Sequence, residues 1–360
     1  MAELDQLNVS TRRYIMDNPA LVDNIFQGDP LLAYLRKNVN EIFPGGTLIQ
    51  SGFLYQNMIG GAYAKGKEFD ITEQQVEQAL QLNVKFTEVN VTLSKEDIQV
   101  LNTGPERVFS LIDSRMKAAY ITMGDFMATG LYLQGQDAGY TTLPNGLTEA
   151  LSDGTTNGWN GLTYTTYGGQ NRGGAVGAAL NSIPVNVAGT IQYNQLEETY
   201  TAASLGANTD LQPNIGACTA LCYSYIKEKF QTQQRFNDTQ DANIGFNGLK
   251  FNNATIIWSR HVPGTFISGS GYQPAVTFLT QSSNGVVTAY PTVTSESLIW
   301  LNARRDYICL YLSKDPEFSF GFTGFKPAQG NTKVAGQVLA AHNLVVRAPR
   351  MHKWLFGITG

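Results

Sequence analysis

Between Thr103 and about Gln134 the sequence can form one thing only, a single long helix. Thr103-Gly-Pro-Glu106 supplies the start, with proline in the first turn. After it Val108, Leu111, Ile112, Arg115, Ala119, Met123, Phe126, Met127 and Leu131 recur at the spacing of a one-sided helix. Such a helix is about 45 Å long at ~1.5 Å per residue, more than a small globular domain needs. A helix of that length serves as a backbone on which other elements pack.

The segments before it are poor in core residues. NPALVDNIF and DPLLAYLRKNVNEIF each open on Asn-Pro or Asp-Pro, a cap followed by proline, and predict short helices within an arm that ends at Pro44-Gly-Gly46. Thr47 to Leu93 reads as extended. TLIQSGFLYQNM runs out to the glycine- and lysine-bearing tip IGGAYAKGKEFD, and a long return ends in LNVKFTEVNVTL. There Val84, Phe86, Glu88, Asn90 and Thr92 alternate with Lys85, Thr87, Val89, Val91 and Leu93, the period of a strand. A hairpin so long with so little core projects and needs a partner to lie on. Ser94-Lys-Glu-Asp97 carries a capping-box pattern for a short helix before the long one.

Beyond the long helix comes a glycine-rich stretch containing YTTYGGQNRGGAVG, residues 164 to 177. Glycines around an arginine raise the question of a phosphate loop. A P-loop needs Gly-Lys-Ser/Thr opening a helix, whereas Gly173, Gly174 and Ala175 follow Arg172. The dinucleotide fingerprint fails as well, since no β-branched strand feeds the glycines and no clear acid follows about 20 residues on. The rest is mixed: a helix capped at Asn194-Gln-Leu-Glu197, a second over TALCYSYIKEKFQTQQRF, strands NATIIWSRHV and SESLIWLN, and a strand-turn-strand end from EFSFGFTGF onwards.

Composition narrows the function classes. Of 360 residues 15% are charged, against ~25% in an ordinary soluble domain, and low charge suits surfaces spent on other chains. A net charge of −4 argues against a protein that simply coats nucleic acid. After Glu317 there is no further acid, while Lys326, Lys333, Arg347, Arg350 and Lys353 follow, so this segment suits phosphate, an acidic partner or a solvated strand face. The start shows no signal segment and no run reaches the ~18 apolar residues of a membrane span, so no membrane partner is expected. Cys218, Cys222 and Cys309 are an odd count, expected as reduced thiols in a cytoplasmic setting. His261, His342 and His352 stand apart from other ligand types at zinc spacing. No Gly-x-Ser-x-Gly elbow occurs, and neither cofactor, metal site nor enzyme activity is expected.

The order of these elements resembles the major capsid proteins of tailed double-stranded DNA phages, of the Hong Kong 97 fold. VNVTLSKEDIQVLNTGPERVFSLIDSRMKAAYITMGDFMATGLYLQG is similar to that family's passage from hairpin into spine helix. LPNGLTEALSDGT and YGGQNRGG resemble the start of its axial domain, NIGACTALCYSYIKEKFQTQQRF its axial-domain helix, and FNGLKFNNATIIWSRHVPG and LIWLNARRDYICLYL the strands that follow. LVVRAPRMHKWLFGITG resembles its terminal strand. The resemblance covers nearly the whole chain and implies an α+β fold. Its parts would be an N-terminal arm (1–46), an E-loop (47–93), a first part of the P domain with spine helix (94–146, helix about 104–134), an A domain (147–312) and returning P-domain strands (313–360).

By the same resemblance the chain would be a structural protein of the virion capsid, assembled in the host bacterial cytoplasm from pentamers and hexamers. Its partners would be a portal, a separate scaffolding protein, packaged DNA and, where present, a decoration protein. Lys65, Lys67, Arg172, Arg304 and Arg305 are candidate inter-subunit contacts, and Arg347, Arg350 and Lys353 candidate DNA-facing residues. One branch of the family cross-links an E-loop lysine to a P-domain asparagine beside a glutamate. Lys65, Lys67 and Asn331 match in place, but no acid follows Glu317, so no cross-link is expected. The rival readings are an encapsulin-like compartment shell, a tail-tube or other virion protein, and an enzyme of unknown chemistry.

Overall fold

The computed structural model describes residues 29–66, 68, 71–95, 105–133, 135, 143–230, 249–265, 279–280, 286–287, 295–327 and 332–360. The expected helix NPALVDNIF, Glu96 and Asp97 of the 94–97 capping box, Lys67 and Asn331 lie outside the described residues. The described chain opens with α1 (Pro30–Asn38) and β1 (Asn40–Phe43). Next come β2 (Leu48–Leu54), β3 (Glu77–Asn83), β4 (Lys85–Ser94) and the long α2 (Pro105–Tyr132). Short pieces follow, α3 (Leu147–Ala150), β5 (Thr166–Tyr167), β6 (Gln170–Asn171) and α4 (Gly177–Leu180). Then come β7 (Val185–Gly189), α5 (Tyr193–Ala203), β8 (Ile215–Cys218) and α6 (Ala220–Phe230). The remainder is β9 (Leu249–Phe251), β10 (Ala254–Trp258), β11 (Leu279–Thr280), β12 (Val286–Val287), β13 (Glu296–Leu301) and β14 (Ile308–Ser313). It ends in β15 (Ser319–Phe322), β16 (Lys326–Pro327), β17 (Lys333–Val346) and β18 (Lys353–Ile358).

Two sheets organise the molecule. The first is built on β17, which pairs with β14, β15 and β16 along one edge and with β4 along the other, while β1 joins β14 in parallel. The second runs β7-β18-β13-β8-β10-β9. The long helix forms as the sequence predicts, 28 residues or about 42 Å. Its buried face holds Met116, Ala119, Tyr120, Met123, Met127 and Leu131. Arg115, expected on that face, is exposed, because the stripe drifts one position around the helix to Met116. The helix lies over β4 and β17, where Thr87 Oγ1 is 3.4 Å from Met123 Sδ and 3.3 Å from Ala340 O.

Three local readings change. The strand expected to continue through Val84 is two strands: β3 pairs with β2, and β4 pairs over ten positions with β17, from Ser94↔Lys333 to Lys85↔His342. NEIF, read as the end of a helix, is β1, because α1 stops at Asn38 and the chain then pairs with β14. The cap of α5 lies at Gln192, whose N–H donates to Gln195 Oε1 at 3.0 Å. At the start of α1 the expected Asp-Pro cap does form, with Leu32 N donating to Asp29 Oδ2 at 3.1 Å.

The second sheet is closed on one side by aromatic packing. Trp300 is wholly buried, meets Tyr200 edge-on at 5.5 Å and stacks on Phe251 at 5.5 Å, and donates from Nε1 to Thr199 Oγ1 at 3.2 Å. The cysteines are all free and buried. The three histidines are buried too. Neither ring nitrogen of His342 has a partner, and burial pulls its pKa down to about 4. His352 accepts from Asn302 N at 3.1 Å, and burial takes its pKa to about 3.

Both rings refuse protons that the unfolded chain takes up near pH 6.5. In the window between that value and the folded pKa the unfolded state binds more protons, so stability falls as pH is lowered. The loss is complete below about pH 4 for His342 and about pH 3 for His352. A His342→Phe chain, with an apolar ring in the same site, is expected to lose less stability between pH 6.5 and 4 than the parent. Guanidinium midpoints measured across that range check it.

Candidate assembly surfaces

The hairpin starts from a buried base and ends in water. Leu48↔Asn83 to Leu54↔Glu77 are paired, and Ile49, Leu80 and Leu82 on the inner face enter the main core. Beyond Leu54 the two limbs are joined by a few polar bonds: Gln56 Nε2 donates to Gln75 O at 2.8 Å, Ile59 N to Gln74 Oε1 at 3.0 Å, and Tyr55 OH to Gln75 O. Leu54, Met58, Ile59, Tyr63 and Ile71 are exposed there, Ile71 at 93%. Grouped apolar exposure of this kind marks an interaction surface, whereas single exposed apolar residues need no explanation. Lys65 stands exposed at the tip.

The glycine-rich loop turns out to be the saddle on which the hairpin base sits. β5 and β6 form a tight turn with Gly168 at φ 56° and Gly169 at φ 77°, the positive values a two-residue hairpin turn demands. Gln81 N donates to Gly168 O at 2.9 Å, and Gln170 Nε2 to Ala79 O at 2.9 Å. A Cβ on Gly168 would come within 2.9 Å of Leu80 Cδ2, so the hairpin approaches as closely as it does because no side chain stands there.

Arg172, expected between subunits, is buried within its own chain. Nη2 donates to Glu149 O at 2.7 Å and Ala150 O at 3.0 Å, while Nη1 serves Ser152 O and Leu180 O. The guanidinium lies over the Tyr167 ring at 5.4 Å. Burial lowers its pKa to about 10, with Tyr167, Glu149 and Asp153 opposing, so it stays charged at neutral pH. The four Nη donors are spent on carbonyls at and just past the ends of α3 and α4, and Nε, which has no partner, is buried away from any phosphate in solution. No sequence signal marks this role, because the acceptors are backbone atoms.

A second joint lies next to it. Asn343 of β17 and Asn145 exchange bonds, Asn145 N to Asn343 Oδ1 at 2.9 Å and Asn343 Nδ2 to Asn145 Oδ1 at 2.9 Å, and Asn343 Nδ2 also reaches Asn83 O at 2.7 Å. Buried Glu149 accepts from Asn145 Nδ2 at 2.6 Å and from Gly135 N at 2.8 Å. The hairpin base, the end of α2, the start of α3 and β17 thus share one polar knot.

The remaining predicted residues divide. Arg305 and Arg347 both hold Glu41 of β1, at 2.9 and 2.8 Å, and Arg347 also donates to Tyr311 OH at 2.6 Å. Burial opposes ionisation of Glu41, but hydrogen bonds from Tyr311, Arg305 and Cys309 and the charge of Arg347 hold its pKa at about 2. Arg304 pairs with Asp210 at 3.1 Å. Lys353, expected to face DNA, is buried at the start of β18, an inner strand of the second sheet, and burial lowers its pKa. Arg347 is likewise half-buried and neutralised from β1, which leaves Arg350 as the exposed member of that trio. Among the described residues no three His, Cys, Asp or Glu side chains converge to hold a metal, and no helix is long and apolar enough to cross a membrane.

Neither a protein-family model nor a curated protein sequence matches the chain. Solved structures do. The capsid of cyanophage A-1(L) superimposes at TM-score 0.56 and 11% identity, covering 92% of this chain and 93% of its own. The capsid of a native GTA particle gives 0.56 at 10% identity over 91% and 90%. The holo-SrpI encapsulin complex of Synechococcus elongatus gives 0.53 at 10% identity over 90% and 86%. The chain has the Hong Kong 97 capsid fold. At this identity the likeness is one of fold alone.

If Arg172 acts inside the subunit, Arg172→Lys, which keeps the charge and loses the fork, lowers stability almost as much as Arg172→Met. The expected loss is about 2–3 kcal/mol for carbonyls left unpaired. Thermal melts of the unassembled chain check it, since an inter-subunit arginine would leave those melts unchanged.

Proposed function

We propose that this chain is the major capsid protein of a tailed double-stranded DNA phage and that its copies close into an icosahedral shell. The observation that carries the reading is the hairpin: on a Hong Kong 97 fold, it leaves Leu54, Met58, Ile59, Tyr63 and Ile71 in water when the chain stands alone. A neighbouring copy supplies the missing burial. The fold likeness to the cyanophage A-1(L) capsid, over nine tenths of both chains, supports the same reading. In it residues 1–46 are the arm and the hairpin from 47 is the E-loop. The first sheet with α2 forms the P domain and the second sheet the A domain; against the expected bounds, β4 of the 47–93 segment and β14 at the end of the 147–312 segment pair with β17 in the first sheet, and β18 of the 313–360 segment pairs with β7 and β13 in the second. Portal, scaffolding protein, packaged DNA and a decoration protein are the partners this role requires or allows, and no catalytic role is proposed.

The likeness to an encapsulin favours a second reading, a cellular compartment shell. Negative-stain imaging of the expressed protein, with and without a scaffolding protein from the same source, is expected to show closed shells. Stacked tubes, or small oligomers that never close, would overturn the proposal. An enzyme enclosed in the purified shells, in place of DNA, would turn it to the encapsulin. Boiling assembled particles in SDS is expected to release monomer, and a ladder of covalent multimers would contradict the expected absence of a cross-link.

A further inference from the structure

We infer that His261 is a proton-operated switch at the joint of the arm, the long helix and the second sheet, in which protonation of the ring exchanges the partner of Asp125 from Arg260 to His261. The inference concerns the single chain and does not rest on the shell reading. Three parts of the fold converge on the ring. Ser259, Arg260 and His261 follow directly on β10, an inner strand of the second sheet. Asp125 and Thr129 lie one turn apart on α2. Asp29 caps α1 within the arm. Asp29, Thr129, Ser259 and His261 are each at most 3% exposed, so the cluster completes its bonding without bulk water.

The bonds assign the hydrogens. Ser259 Oγ donates to Asp29 Oδ1 and accepts from His261 N at 3.1 Å, which fixes the segment against α1. Thr129 Oγ1 donates its one hydrogen back to Asp125 O at 2.8 Å. At 3.2 Å from His261 Nδ1 that hydroxyl is therefore an acceptor, and Nδ1 carries the ring hydrogen. The other nitrogen, Nε2, is bare and accepts from Arg260 Nε at 3.2 Å. The ring is thus neutral as it stands. Asp125 Oδ1 sits 3.5 Å from the bare Nε2 and is held by Arg260 Nη2. Two acceptors face each other there, and one guanidinium donates to both.

A proton on Nε2 reverses these relations. The new N–H donates to Asp125 Oδ1, Arg260 Nε loses its acceptor, and two cations come face to face. Arg260 is 45% exposed and turns towards water, whereas His261 is buried and stays. The charged groups facing the ring are Asp125 from α2, Asp29 from the cap of α1 and Arg260 from its own segment, two anions and one displaceable cation. In the protonated state the second sheet is tied to the long helix through a buried ion pair, and a cation has moved outward. Imidazole is the side chain suited to such a role, since in ordinary surroundings its charge changes between about pH 5 and about pH 8.

The test is nitrogen NMR of the full chain carrying isotope-labelled histidine, titrated from about pH 8 to about pH 5. Burial has taken the pKa of His342 to about 4 and that of His352 to about 3, so His261 is the one ring expected to change. A His261→Gln chain, which lacks its signals, assigns them. At the upper end His261 is expected to carry hydrogen on Nδ1 alone, and at the lower end on both nitrogens. Arg260→Gln removes the competing cation and is expected to raise the titration midpoint by about one pH unit, a tenfold gain in proton affinity. Asp125→Asn removes the acceptor's charge and is expected to lower it by a similar amount. Arg260 is exposed and asparagine matches aspartate in shape, so both variants should melt near the parent. A ring with its hydrogen on Nε2 at the upper end, or one still neutral at the lower end, would overturn the inference, and the parent alone decides this. A midpoint that fails to move in opposite directions in the two variants would overturn it as well, since a merely structural histidine does not report on which partner holds Asp125.

Discussion

The exchange of hydrogen bonds between Asn145 and Asn343 is the constraint on which the rest of the molecule depends. Asn343 lies on the strand that centres the first sheet, and Asn145 lies on the segment that leaves the long helix for the second sheet. The same Asn343 amide holds Asn83 at the base of the hairpin, and Glu149 ties Asn145 to Gly135 just past the helix. Four structural parts meet at fully satisfied polar groups in a buried place. Removing any one partner would strand the others without water to replace it.

Arg172 does for the connecting segment what Asn343 does for the sheets. By gathering carbonyls of residues 149, 150, 152 and 180, it fixes the loop whose glycines carry the hairpin base. The hairpin is therefore fixed at its root. A root fixed to the core sets the direction in which the exposed apolar limb projects.

Much of this was legible in the sequence, for physical reasons that also mark its limit. The long helix shows because a one-sided apolar stripe at helical spacing depends on local geometry alone. The order of elements follows from such local signals strung together, and the resemblance of that order and of the segments to a known family is what points to the Hong Kong 97 fold. The break at Val84 does not show, because strand alternation runs on unchanged across it; only the pairing with β17, far along the chain, divides the segment. Lys353 looked like a surface charge because its position as the first residue of an inner strand is set by strand order, which no local pattern reports. Arg172 looked like an inter-subunit group because its acceptors, being backbone, leave no trace in residue identity.

Both sheets receive an inner strand from the same late stretch, β17 for the first and β18 for the second. Until residues 333 to 346 have been synthesised the first sheet lacks its centre and β4 has nothing to pair with, and until β18 follows, β7 has no place in the second sheet. A nascent chain on the ribosome therefore carries its apolar hairpin before the strand that centres its own first sheet exists.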